Sequence, residues 1–184
     1  MAPHARTGNP SHPVVLQLRD VHPRKQLPVE RFGRDGVEGN RFEPVGIVVG
    51  PDGRVYVADS GNGRISVFQR DGTPIAQWPV AAWAGQGYFE PYLAVDNNGL
   101  LYATSSATGS VEVYDLDGNF VTSLTSAGAE QFQRPIGITQ GANGQMMVTD
   151  AGLNAVLQFA PIAPPVVACS VAALPSLLSR VQLP

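Results

Sequence analysis

Three histidines, His4, His12 and His22, are the side chains best suited to acid–base chemistry or metal binding, and all lie in a Pro-rich N-terminal stretch. No two of them share a repeat or a metal-ligand spacing, so they read as solvated rather than as a ligand set. The single cysteine, Cys169, offers neither a disulfide nor a thiolate cluster and sits in an apolar tail. Beyond residue 22 no histidine is present to activate the many Ser and Thr hydroxyls as nucleophiles. No GxGxxG follows a strand and no Walker A motif occurs; Gly61-Asn62-Gly63 reads as a turn. Carboxylates remain. Asp59 and Asp150 fall at corresponding positions, and Asp52, Asp71, Asp96 and Asp117 lie at or near turns. Calcium binding or catalysis is one reading. Asx-type hydrogen bonding that fixes the turns is the preferred one, because equivalent residues of successive repeats do not converge unless they line a common axis. No catalytic residue, cofactor or metal follows from these residues, and the chain is expected not to be an enzyme.

Composition limits the elements that could position such groups. The 184 residues include 20 Gly and 16 Pro, so turns are frequent and long helices are disfavoured. Charged residues are only 15%, and 12 Lys and Arg against 15 Asp and Glu give a net charge of −3. That balance supplies no excess to neutralise phosphates, so neither nucleic acid nor direct membrane contact is expected. The basic stretch Arg19, Arg24, Lys25, Arg31 and Arg34 is diluted by Asp20, Glu30 and Asp35 and reads as a solvated strand edge. The N-terminus has no apolar core of a secretory signal. The apolar tail from Ile162 is broken by Pro164, Pro165 and Pro175, well short of a membrane span.

Self-similarity is the strongest signal. Phe42-Glu43-Pro44-Val45-Gly46-Ile47 recurs as Phe89-Glu90-Pro91-Tyr92-Leu93-Ala94 and as Phe132-Gln133-Arg134-Pro135-Ile136-Gly137-Ile138. Asp52-Gly53-Arg54-Val55-Tyr56-Val57 matches Asn98-Gly99-Leu100-Leu101-Tyr102-Ala103 and Asn143-Gly144-Gln145-Met146-Met147-Val148. A third element, Arg64 to Phe68, matches Ser110 to Tyr114 and Ala155 to Phe159. Each copy reads as short strands separated by turn residues. The first strand is continuously apolar, as if buried on both faces, and the third alternates, as if half-buried. Asp71-Gly72 and Asp117-Gly118 open a fourth strand in two copies. Four short antiparallel strands in about 45 residues is the make-up of one propeller blade.

The pattern Pro44-x-Gly46-Ile47, Asp52-Gly53, Tyr56-Val57-Ala58-Asp59-Ser60-Gly61-Asn62-x-Arg64-Ile65-x-Val67-Phe68 resembles an NHL repeat, the blade of six-bladed β-propellers. Copy two departs from it with Ser105, Ser106, Thr108 and Ser110, and copy three with Leu153, Asn154 and Ala155. The resemblance implies an all-β propeller segment of about three four-stranded antiparallel blades plus a partial N-terminal blade, part of a six-bladed ring. The expected organisation is a tail over 1–13 and outer strands of a preceding blade over 14–40. Blades follow over 41–87, 88–131 and, incomplete, 132–161, with an apolar Pro-rich tail over 162–184. Such a segment would leave two open, apolar blade faces. It would then be a piece of a longer protein, a half that self-associates to complete a ring, or a short open array. The stretch from Trp78 is also similar to C-terminal propeller modules of bacterial membrane-anchored proteins, which would put missing blades and an anchor upstream and the segment outside the cytoplasm.

An innermost first strand entering at Phe-Glu-Pro brings the loops after strands two and four to that same face. Glu43, Glu90 and Arg134 then share one position, with Tyr92, Asn62, Asn154 and Trp83 nearby. Aromatic and arginine side chains on loops are typical binding anchors, although packing between blades serves Trp83 and Tyr92 equally well. The resemblance implies that the Asp, Asn and Arg of the 59–64 motif tie neighbouring strands, which gives Arg64 a structural role beside a ligand-gripping one. The expected function is a non-catalytic binding or scaffold module for protein or carbohydrate. The alternatives are a fragment of a propeller lyase or hydrolase, or an accessory domain of a membrane-anchored glycosyltransferase.

Overall fold

The computed structural model describes residues 42–85 and 90–164. The N-terminal tail and partial blade, the three histidines, the basic stretch and Cys169 lie outside the described residues. So does the tail beyond 164, where Val166 to Leu174 reads as a possible strand.

Within the described residues the chain is a succession of antiparallel meanders. Strands β1 (Pro44–Val49), β2 (Val55–Asp59), β3 (Arg64–Phe68) and β4 (Pro74–Pro79) form the first four-stranded blade in sequence order. Strands β5 (Leu93–Val95), β6 (Leu100–Ser105), β7 (Ser110–Asp115) and β8 (Phe120–Leu124) form the second. A two-residue hairpin of β9 (Ser126–Ala127) and β10 (Glu130–Gln131), unsignalled in the sequence, leads into the third blade of β11 (Pro135–Gln140), β12 (Met146–Asp150) and β13 (Ala155–Phe159). The glycines of the Asp-Gly and Asn-Gly pairs take the left-handed backbone, with φ of 79° at Gly53 and 76° at Gly99. The residue before each glycine keeps negative φ, so these are not primed two-residue turns. Instead the Asp52 carboxylate accepts the Arg54 N–H at 3.0 Å, and Asp96 accepts those of Asn98 and Leu100, each at 2.9 Å. Turn chemistry therefore comes from one glycine and one Asx side chain together.

Strand pairing fixes which residues correspond. Ile47 pairs with Val57, Leu93 with Ala103 and Ile138 with Val148. A register shift between Pro44 and Ile47, repeated between Pro135 and Ile138, adds one residue that blade two lacks. Tyr92 consequently stands where Gly46 and Gly137 stand, not opposite Val45 and Ile136 as the Pro-anchored alignment implies.

Two apolar seams hold the blades together. Tyr56, Ala58, Ile65 and Val67 of blade one pack with Leu93, Leu101, Ala103 and Tyr114 of blade two. Ala94, Tyr102, Val111 and Val113 on the opposite face of blade two pack with Ile138, Met146 and Val148 of blade three. Each large side chain fully buried in these seams contributes about 1.5–3 kcal/mol relative to exposure. Burial overturns two expectations. β2 and β3 are buried on both faces, as are β6 and most of β7, whereas β12 and β13 of blade three keep one face open. β1, expected to be buried on both faces, leaves Ile47 64% and Val49 62% exposed, although Val55, Val57 and Phe68 on the same face of the blade are buried beside Phe42.

Candidate functional site

The end of the blades where the first strands begin is organised by the residue that closes each second strand. In blade one Asp59 is fully buried. It accepts the Glu43 N–H at 2.9 Å, the Asn62 amide at 2.8 and 2.9 Å, and Arg64 Nε at 2.8 Å. The buried Asp59–Arg64 pair closes the β2–β3 turn, while the Ser60 N–H donates to the Glu43 carbonyl at 3.0 Å. In blade three Asp150 does comparable work with backbone donors alone, accepting from Gln133, Arg134, Gly152 and Leu153. Burial raises the Asp150 carboxyl, but the N–H groups of Arg134, Gln133, Leu153 and Gly152 together outweigh it and hold it below the ordinary carboxylate range.

Blade two replaces the ion pair with hydroxyls. Thr108 Oγ1 donates to Ser105 Oγ at 2.8 Å and lies 2.7 Å from Ser110 Oγ. Ser110 and Ser123 both donate to Glu112 Oε1, at 2.7 and 2.8 Å. Burial, then the Glu112 charge, push the Tyr114 phenol up to about 12.

Against this frame the eight expected site residues divide. All lie at the strand-entrance end, yet two do not face solvent. Trp83 is 1% exposed, wedged in the seam between blades one and two, with Nε1 donating to the Thr104 carbonyl at 3.0 Å. A ligand-face role for Trp83 is therefore wrong; its apolar loop, Val80 to Trp83, folds inward because Val80 N–H is captured by the Gly63 carbonyl. Arg64 is 8% exposed and ion-paired, so it holds the turn and does not present a ligand grip. Asn154, aligned loosely with Asn62 in the sequence, occupies the left-handed position held by Gly63 and Gly109, with φ of 53°. It is exposed, as are Glu43, Glu90 and Arg134, while Asn62 is half-buried. Tyr92 is 40% exposed, at a point where both flanking blades have glycine.

Sequence reasoning passed over Thr104. Its Oγ1 accepts the Tyr92 N–H at 2.9 Å and donates to the Ile136 carbonyl of blade three at 2.8 Å, while its carbonyl receives Trp83. Three blades meet at this residue. The repeat alignment places Thr104 opposite Ala58 and Thr149, so a hydroxyl at that position in two of three copies was the available signal. Among the described residues no group of three His, Cys, Asp or Glu side chains is arranged to hold a metal ion, and no helix is long and apolar enough to cross a membrane.

Residues 43–68 match the family profile of the NHL repeat. Over 134 residues the chain is 35% identical to the E3 ubiquitin-protein ligase TRIM32 of Homo sapiens, an alignment spanning 66% of this chain and 20% of that protein. It is 30% identical over 133 residues to the protein brain tumor of Drosophila melanogaster, spanning 70% of this chain and 12% of that protein. The chain thus spans a fifth or less of these relatives' length. Among solved structures, virginiamycin B lyase from Staphylococcus aureus aligns with a TM-score of 0.51 over 70% of this chain and 45% of that one. At 16% identity this is a likeness of fold alone.

Proposed function

We propose that this chain, a run of NHL repeats folded as part of an all-β propeller, is a non-catalytic binding module that takes a protein partner at its strand-entrance face. Tyr92 carries the reading. A blade that could keep a glycine there, as its two neighbours do, instead presents an aromatic ring 40% exposed. Glu90 lies two residues before it, and Arg134 fronts the next blade at the same position. An exposed ring among charges of both signs suits a polypeptide surface, where aromatic and Arg anchors dominate binding energy. The name of one relative, an E3 ubiquitin-protein ligase, is consistent with engagement of other proteins, and that activity belongs to that relative.

The test is site-specific photocrosslinking in cells, with the crosslinking residue at Tyr92 or, as a control, at Phe120, which is 58% exposed on β8. Discrete protein adducts from position 92, absent from position 120 and lost in an Arg134→Glu background, are expected. Equal adducts at both positions, or binding only to immobilised glycans, overturn the protein-binding reading.

A further inference from the structure

The chain contains three Asn-Gly pairs: Asn62-Gly63 in the β2–β3 turn, and Asn98-Gly99 and Asn143-Gly144 in the equivalent β5–β6 and β11–β12 turns. In such a pair the glycine nitrogen can attack the Asn side-chain carbon, because no Cβ hinders its approach. All three glycines take the left-handed backbone, with φ of 61°, 76° and 83°. Their N–H groups donate alike to the carbonyl of the third residue before, Ser60, Asp96 and Gly141. The attacking nitrogen is therefore held the same way in each blade. The amide that would leave is not.

Asn62 is half-buried, and its side-chain nitrogen donates to both oxygens of the buried Asp59 carboxylate, at 2.8 and 2.9 Å. Asn98 is exposed, yet its side-chain nitrogen donates to the Ile162 carbonyl at 3.2 Å. Asn143 is exposed, and its side-chain nitrogen has no hydrogen-bond partner among the described residues. Its oxygen is held instead. Oδ1 accepts the Gln145 N–H at 3.2 Å, which keeps the side-chain carbonyl beside the Gly144 nitrogen and polarises the carbon to be attacked. The Gly144 carbonyl of that same donating peptide accepts Gln140 Nε2 at 2.9 Å, and Gln140 Oε1 accepts the Asn97 N–H of blade two at 3.0 Å. Each amide in this chain strengthens the next as a donor.

We propose that Asn143 is a self-modifying residue, converting through a cyclic imide to aspartate and isoaspartate. The Gly144 nitrogen gives its proton to solvent base and bonds to Asn143 Cγ, and the side-chain nitrogen leaves as ammonia. Water then opens the imide. Addition at the former side-chain carbonyl gives aspartate, and addition at the Asn143 main-chain carbonyl gives isoaspartate. Either product adds a negative charge to a chain whose net charge is already −3. Isoaspartate also lengthens the main chain by one methylene inside the β11–β12 turn. That displaces the Gly144 carbonyl from Gln140 and slackens the strut that Gln140 makes to Asn97.

Peptide mapping by mass spectrometry tests this on the full chain, incubated folded in mildly alkaline buffer and in parallel in urea. In the folded chain Asn143 is expected to convert first, and Asn62 roughly tenfold more slowly, because bonds to a charged group must break before its amide can leave. In urea the three rates are expected to converge. Asn62 or Asn98 converting as fast as Asn143 in the folded chain overturns the proposal, and so does an ordering that urea leaves unchanged. Hydrogen exchange on the converted protein is expected to show the Asn97 amide losing protection, as it does in Gln140→Ala. An Asn97 amide as protected as before conversion overturns the link from the modified turn to blade two.

Discussion

Blades one and two build the same corner from opposite materials. In blade one a buried carboxylate, Asp59, is matched by the Arg64 guanidinium. In blade two the corresponding Ser105 and Ser110 are neutral, and the nearby buried carboxylate, Glu112, is held by two hydroxyls, with no cation paired to it among the described residues. At the positions of Glu112 and Ser123, blade one has Ser66 and Gln77, whose buried Oγ and Oε1 find no hydrogen-bond partner among the described residues. The fold requires that the β2–β3 turn and the lead-in to β1 be tied together; it does not require a salt bridge to do so. Charge makes the first corner strong only while both partners are present, whereas a hydroxyl chain tolerates the loss of one proton or one charge.

The largest expected effect separates the two chemistries. Asp59→Ala strands the Arg64 guanidinium in a buried site and is expected to cost ~3–5 kcal/mol in chemical denaturation. Transplanting blade two's residues into blade one as Asp59→Ser, Asn62→Thr and Arg64→Ser removes both charges and is expected to recover roughly half of that loss. A triple variant no more stable than Asp59→Ala breaks the equivalence of the corners. Trp83→Ala, at the seam between the same two blades, empties a fully buried site and is expected to cost ~3–5 kcal/mol. A melting temperature unchanged by that substitution would return Trp83 to the ligand face.

The effect of Glu112→Gln is smaller. The amide oxygen still accepts from Ser110 and Ser123, so the cost is expected to be about 1 kcal/mol or less, against several for Asp59→Asn measured alongside. Asp150 adds a pH test. Its folded value is lowered, so its contribution to stability is present above the ordinary value of 3.8 and is lost as pH falls through the depressed one. Unfolding titrations should show the wild type losing stability more steeply than Asp150→Asn below about 3.8. Parallel curves would remove Asp150 from the set of carboxylates that tie the corner. Smallest of all is Tyr92→Ala. Glycine serves at that position in both neighbours, so stability should change by no more than about 0.5 kcal/mol while partner capture is lost.

Much of this architecture is written in the repeats. The spacing of Pro44, Gly53 and Arg64, repeated twice more, located the strands of all three blades, and β3 spans the residues the sequence indicates, Arg64 to Phe68. Burial was harder to read. Alternation in β3 suggests a half-buried strand, but Ser66 and Arg64 are enclosed, and it is β13, the matching strand of blade three, whose burial alternates. The pairing of Tyr92 with glycine depends on a one-residue bulge in β1 and β11, which an alignment anchored on proline hides. Trp83 reads as an anchor because aromatic side chains on loops are typical binding anchors; only the carbonyl of Thr104, 21 residues on, reveals that the loop turns inward. Contacts of that kind belong to the space between blades, which one strand's pattern does not encode.

Thr104 has a mechanical consequence. Within a blade, neighbouring strands are joined by hairpins, so tension on the chain ends peels their hydrogen bonds one after another. The three bonds at Thr104 tie β6 to the loop leaving blade one, the lead-in to β5 and the first strand of blade three. Tension resolved across that point loads them together. The chain is therefore softest at the rims of its blades and stiffest at a single threonine where all three meet.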